Sequence, residues 1–563
     1  MRRCPVVLFV LLLGAPMAMA QNQFSVVEAT IAEMQSAMES GRVTSRELVA
    51  QYLIRIATYD KKLNAVVTVN PNALREAEER DRERAQGKLR GPLHGIAIAL
   101  KDNIHTTDMP TTGGALVFEG FVPPYEATLV KNLRDAGAVI IAKTSMTELA
   151  NWVAGPPTPM PGGYNPVSGF TMNPYDPRRD PRDGIFDGRP VLSVGGSSSG
   201  AGTAASFWAA NVGTETSGSL LSPANQNMLV SIKPTLGRIS RYGIIPITAD
   251  QDTAGPMART VADAAILFGV LENAQVDPND PVNPCRPAPE RDYTRFLKRD
   301  GLKGARIGIP RAFFYEPIKP PGLNAPRGGL NPEQAKLMAE AIAILKEEGA
   351  VIVDPADIPS VVDPDASRNF LHWPLCSGTG GAKGKDEACS VVFKYGMKRD
   401  FNKWLASLGP TAPVKSLTEL RDWNVAHRNG GALKYGQSLL DISDEMDVEA
   451  DRARYEADRA KDLFLSGEHG VDAIIRAERL DALLFPAQTG ALLLARPGYP
   501  TVIVPFGMVP NAPTPPIPAA FGAKPSPFGV SFAGTACSEP RLIELAYAFE
   551  QATKRRIPPP SFP

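Results

Sequence analysis

Apolar residues along this chain recur with two alternating periods, one helical and one extended. Between 44 and 59, Leu48, Tyr52, Leu53 and Ile56 fall on one helical face, and Thr44-x-x-Glu47 forms a capping box at its start. Residues Pro71 to Gln86 are dense in charge and predict an exposed helix that stops at Gly87. The period then shortens. The unbroken run Ile96–Leu100 after Gly95 predicts a buried strand with Lys101 and Asp102 at its end. Ala127 to Ala136 predicts a helix stopped by Gly137, followed by a strand over Val139–Ile141. The alternation resumes with a strand at 306–309, a helix at 332–348 and a strand at 351–353. Strands are predicted again at 482–485, 501–504 and 530–532. A last helix opens at Ser538 with Pro540 in its first turn.

Strands and helices that alternate in this way predict an α/β fold, a sheet covered by helices on both faces. No Ser/Gly linker or charge run divides the chain, so one large domain is expected from about residue 21 onward. Pro156 to Pro190 and Pro317 to Pro332 interrupt the alternation and read as long surface loops, of the kind that form rims or lids. No internal repeat occurs at solenoid periods.

With 563 residues, 43% hydrophobic and 21% charged, the chain has the composition of a globular protein with a large core. Lys plus Arg and Asp plus Glu both number 60, so there is no basic excess of the kind nucleic-acid binding requires. Arg2, Arg3, the apolar run Val6–Leu13 and the small-x-small site Ala18-Met19-Ala20 predict an export signal over residues 1–20. The run is too short to span a membrane, and no later stretch is long enough. The mature chain would begin near Gln21, without Cys4, and reside in the periplasm or the medium. Of the four remaining cysteines, Cys376 and Cys389 flank the Gly-rich stretch Ser377–Gly384, which could fold back and let them pair. The five histidines, His94, His105, His372, His427 and His469, are scattered without metal-ligand spacing, so neither a metal nor another cofactor is expected.

The densest chemistry lies between Gly195 and Gly237. Gly195-Gly196-Ser197-Ser198-Ser199-Gly200 opens it, Gly213-Thr214-Glu215-Thr216-Ser217-Gly218-Ser219 follows, and Lys233-Pro234-Thr235-Leu236-Gly237 closes it. Such residues suit a backbone that approaches something closely and donates hydrogen bonds. A phosphate loop would need Gly-x4-Gly-Lys-Ser/Thr, which is absent. Gly196 to Gly200 satisfies Gly-x-Ser-x-Gly, which would make Ser198 the nucleophile of an α/β-hydrolase-type esterase, with His427 or His469 as partner. A turn without chemistry is the third reading.

The segment resembles the signature of the amidase signature family. The resemblance extends over residues 91–112 (GPLHGIAIALKDNIHTTDMPTT), 127–150 (ATLVKNLRDAGAVIIAKTSMTELA), 195–237, 252–263 (DTAGPMARTVAD) and the C-terminal strands with the helix at Ser538-Glu539-Pro540. Five motifs in order make it specific. Within the family the chain is most similar to bacterial peptide amidases and related aryl and acyl amide hydrolases. The resemblance implies the family's large twisted mixed sheet and a Ser-cisSer-Lys triad. Ser219 is then the nucleophile, Ser197, after a cis peptide to Gly196, the bridge, and Lys101 the base. The backbone N–H groups of Thr216, Ser217, Gly218 and Ser219 form the oxyanion hole, and Ser198 and Ser199 support the site.

Those roles are chemically coherent. A serine hydroxyl needs a base to become nucleophilic, and a lysine serves only when burial keeps it neutral. The leaving amine must receive a proton, which Ser197 would relay back. Asp102 reads as a cap on the turn after its strand. The chain departs from the family pattern at three places. Ser219 follows Ser197 by 22 positions, about two fewer than usual, with the shortening expected near Ser206–Val212. Ser217 stands where a glycine or acid is common. Leu221 stands where some relatives carry a carboxylate-binding arginine, which points to a neutral or apolar acyl group. The resemblance thus implies a small-molecule amide substrate. Its rivals are one member of a partnered tRNA-dependent amidotransferase and a catalytically silent binding protein of the same fold.

Overall fold

The computed structural model describes residues 24–182, 187–196, 200–283 and 285–563. Among the described residues eleven strands form one mixed sheet. In chain order they are β1 (Val66–Val69), β2 (Ala97–Lys101), β3 (Val139–Thr144), β4 (Ala210–Glu215), β5 (Val230–Lys233), β6 (Thr253–Ala258), β7 (Arg306–Gly308), β8 (Val351–Val353), β9 (Ala482–Pro486), β10 (Thr501–Val509) and β11 (Ser526–Ala533). Their spatial order is β1-β3-β2-β4-β6-β5-β10-β11-β9-β7-β8. β2 lies parallel between β3 and β4, and β4 pairs antiparallel with β6.

Strand alternation shows why both faces are covered. Along β10, Val502 and Val504 join the main core with Phe549 of the helix Glu539–Thr553. Ile503, on the opposite face, packs with Leu220, Leu221 and Ala224 instead. The expected helix at 44–59 spans Ser45–Leu63, with the Thr44–Glu47 capping box formed. The charged one spans Ala73–Ala85 before Gly87 at positive φ.

A further helical layer lies outside the elements that the sequence pattern predicts. The helices Val392–Ser407, Leu417–Ala426 and Ser438–Asp444 bury Phe393, Met397, Phe401, Trp404 and Leu439 in a second core with Trp152 and Met160. The spacing 393, 397, 401 and 404 is helical and carried the signal. Residues 156–190 include a small antiparallel ribbon, Tyr164–Asn165 with Gly169–Phe170, and bury Asn165, Thr171, Asn173 and Asp180. Cys376 and Cys389 are disulfide-bonded, and Cys285 is bonded to Cys537, a pairing the spacing did not reveal. Among the described residues no helix is long and apolar enough to cross a membrane.

Candidate active site

The site is assembled where β2 and β4 end side by side. All five residues of β2 are buried: strands flank it on both edges, and its side chains point into the covered faces of the sheet. Lys101, its last residue, is wholly buried, and Nζ donates to Thr214 Oγ1 at 2.7 Å and Thr214 O at 3.2 Å. Asn103 Nδ2 donates to the same hydroxyl oxygen at 3.1 Å. Burial lowers the Lys101 pKa to about 7, against an upward pull from Asp252 and Glu215. Near neutrality this amine therefore exists in both protonation states.

Two residues beyond Thr214 the chain enters the turn Thr216–Ser219, where Gly218 has φ +120, a value that requires glycine. Glu215 anchors this turn from beneath. Its Oε2 accepts the N–H groups of Leu220 at 2.7 Å and Leu221 at 3.0 Å, just after Ser219. Burial raises the Glu215 pKa, while Lys233 and the donated N–H groups oppose that shift. On the other flank Thr216 Oγ1 donates to Asp252 Oδ1 at 2.5 Å, and Gln251 Nε2 donates to Thr216 O at 3.1 Å. Asp252 Oδ2 accepts the Ile247 and Thr248 N–H groups, and burial pushes its pKa up to about 7. Thr214, Glu215 and Asp252 are not marked as site residues by the sequence pattern, although each lies inside one of its motifs.

Thr216, Ser217, Gly218 and Ser219 line a cavity of about 540 Å³. Trp152, Met160, Phe393 and Leu439 form much of its apolar wall, and no described residue lining it is charged. Gly196 faces Ser219: a Cβ there would sit 3.4 Å from Ser219 Oγ. Gly195 has φ +87 and so little room that a Cβ would lie 2.4 Å from the Pro223 nitrogen. Ser197, Ser198, Ser199 and the expected cis peptide at Gly196–Ser197 lie outside the described residues. No histidine lines the cavity among the described residues. His427 stacks on Trp423, and His469 pairs with Asp363. Asp102 receives the Thr112 N–H at 3.1 Å and the Thr112 hydroxyl, and lies 3.4 Å from Lys143 Nζ, an arrangement that ties down the turn after β2. Leu221 is buried in the cluster around Ile503 and does not reach the cavity.

A mixed sheet of this kind is a fold that known proteins share. The Amidase family model matches residues 47–543. A probable amidase of Arabidopsis thaliana is 32% identical over 548 residues, covering 96% of this chain and 92% of that protein. The native peptide amidase of Stenotrophomonas maltophilia is 35% identical with a TM-score of 0.77, over 94% of this chain and 98% of its own. A glutamyl-tRNA(Gln) amidotransferase chain of Chloroflexus aurantiacus is 38% identical over 328 residues, 58% of this chain and 60% of that one. The chain belongs to the amidase family. It is a hydrolase acting on the carbon–nitrogen bonds of amides, built on the same mixed sheet as the peptide amidase.

Proposed function

We propose that the protein cleaves linear carboxylic amides through an acyl-enzyme on Ser219, with Lys101 as base and Ser197 as the relay between them. One observation carries this reading. Lys101 is a wholly buried amine, held near pKa 7 by desolvation, on the strand beside the one that leads into Ser219. Neutral Lys101 takes the proton of Ser197, which takes that of Ser219 as its Oγ attacks the carbonyl carbon. The oxyanion is held by N–H groups of the Thr216–Ser219 turn, with Ser198 and Ser199 as supports. The proton returns through Ser197 to the amide nitrogen, the C–N bond breaks, and ammonia or an amine departs. Water then attacks the ester by the same relay, releasing the acid and restoring Ser219.

The uncharged wall formed by the described lining residues supports a neutral acyl group, and the likeness to a peptide amidase supports C-terminal peptide amides as substrates beside aryl and fatty amides. Purified protein incubated with one amide of each kind should release ammonia or arylamine, and Ser219→Ala should abolish release. Unchanged release by that variant would overturn Ser219 as nucleophile. Residues 1–20 are proposed to direct export, a reading that two disulfides support. N-terminal sequencing of protein from the periplasm or medium should then begin near Gln21; protein retained inside the cell with Met1 intact would refute export.

A further inference from the structure

Thr147 stands just beyond the end of β3, fully buried and outside the residues that line the cavity. Its hydroxyl touches two backbone groups. Gly163 N–H donates to Thr147 Oγ1 at 2.8 Å, and Thr147 Oγ1 lies 2.5 Å from Gly196 O. A threonine hydroxyl has a single proton. Because Gly163 already donates into the oxygen, that proton points at the Gly196 carbonyl. This carbonyl belongs to the peptide that leads into Ser197, and Gly196 itself faces Ser219 Oγ.

The surroundings make the contact specific. The strap Gly195–Gly196 is backed on one side by Pro223, against which Gly195 has no room for a Cβ. On another side Gly162 approaches so closely that its own Cβ would lie 3.1 Å from Gly195 O. These contacts restrict translation of the strap. Only the Thr147 hydroxyl, among the contacts described, grips the Gly196 carbonyl and so fixes the direction in which that carbonyl points. Its own orientation is set by Gly163, in the segment that the sequence marked as an interruption of the fold.

We propose that Thr147 is a positioning residue for amide hydrolysis: with Gly163 it locks the Gly196 peptide in the orientation that presents the strap to Ser219. The inference rests on the reading of Ser219 as the nucleophile. A misplacement of reacting groups lowers the rate of the chemical step more than it weakens binding.

The test compares Thr147→Val, which keeps the shape without the hydroxyl, with Thr147→Ser, which keeps the hydroxyl. Ser219→Ala is the control, and kcat and KM are measured on whichever amide the parent hydrolyses. Thr147→Val should lower kcat by about 10-fold or more, the rate equivalent of one lost hydrogen bond, with KM within about twofold. Thr147→Ser should stay within about threefold of the parent in kcat. Thermal melts identify a valine variant that does not fold, in which case Thr147→Ala is read by the same criteria. Parental kcat in the folded hydroxyl-free variant, or an equal loss in Thr147→Ser, overturns the proposal. Activity surviving in Ser219→Ala instead overturns the nucleophile assignment on which it rests.

Discussion

Lys101 Nζ donates to Thr214 Oγ1 across the junction of β2 and β4, at 2.7 Å and out of reach of solvent. The bond ties the buried amine to the strand that ends at the Ser219 turn. It favours the charged form of the amine, against the burial that disfavours it, since a hydroxyl oxygen accepts more strongly from an ammonium than from a neutral amine.

A pH dependence follows from the burial of that amine. In the proposed reaction the neutral amine is the active form, and burial lowers its pKa to about 7, so kcat/KM should rise with pH through about 7 and level off above. Thr214→Val removes an acceptor that favours the charged form. The limb should therefore move to lower pH, while Lys101→Ala should abolish activity. A pH–rate profile of the parent and the valine variant checks both, and a profile flat across neutral pH would remove Lys101 from the proton transfer.

Glu215 makes a second prediction, about the turn rather than the base. Its carboxylate accepts two buried N–H groups. Glu215→Ala orphans both donors. Leaving a buried donor without a partner costs about 1–3 kcal/mol. Glu215→Gln keeps an acceptor of the same shape and should lose less. Urea denaturation of the three proteins gives the order parent, Gln, Ala; an alanine variant as stable as the parent would show that the turn holds without this anchor.

The sequence made these features legible to different degrees, for physical reasons. β2 was readable because Ile96–Leu100 is an unbroken apolar run, and Lys101 stood out as the charge at its end. β4 was not, because Ala-Asn-Val-Gly-Thr-Glu has little hydrophobic signal, and its Thr214 and Glu215 act only through partners that the fold brings to them. The helix Val392–Ser407 has apolar residues at helical spacing. The buried Lys394, bonded to Asp386 at 2.6 Å, and the largely buried Asp400 interrupt that pattern with charge. Cys376 and Cys389 are 13 apart and could be paired by eye, whereas Cys285 and Cys537 are 252 apart. Ser219 and the residues before it were found through resemblance, since a Gly/Ser-rich string alone allowed three readings.

The uncharged cavity predicts discrimination between acyl groups. A substrate whose chain ends in a carboxylate would bring an unpaired anion against Trp152, Met160 and Phe393. Removing a charge from water without a partner costs several kcal/mol, so a neutral amide should exceed its carboxylate-bearing counterpart in kcat/KM by on the order of 100-fold or more. Competition between a matched pair, one ending in a methyl group and one in a carboxylate, measures the ratio directly. Equal turnover would mean that a cation outside the lining residues reaches the acyl chain.

The turn between Gly200 and β4 is tightly packed. The helix Gly200–Ala204 is a single turn, and the chain folds back at Ser206, at φ +54, into β4. Trp208 closes the turn: its ring is fully buried, and Nε1 donates to Thr203 Oγ1 at 2.7 Å. The ring lies where a side chain on Gly202 would be, since a Cβ there would come within 2.3 Å of it. Two effects compete in Gly202→Ala. Alanine favours a helix over glycine by about 1 kcal/mol. Overpacking a filled core costs about 1–3 kcal/mol, and a rigid indole held by a hydrogen bond yields less than a flexible chain. The clash should win, so Gly202→Ala should lower stability by about 1 kcal/mol or more in denaturant titration. Trp208→Phe, which shortens the ring, should relieve the added cost in the double variant, giving a coupling of about 1 kcal/mol in the cycle. Additive effects would mean that Gly202 and Trp208 do not press on one another, and that the short turn is fixed elsewhere.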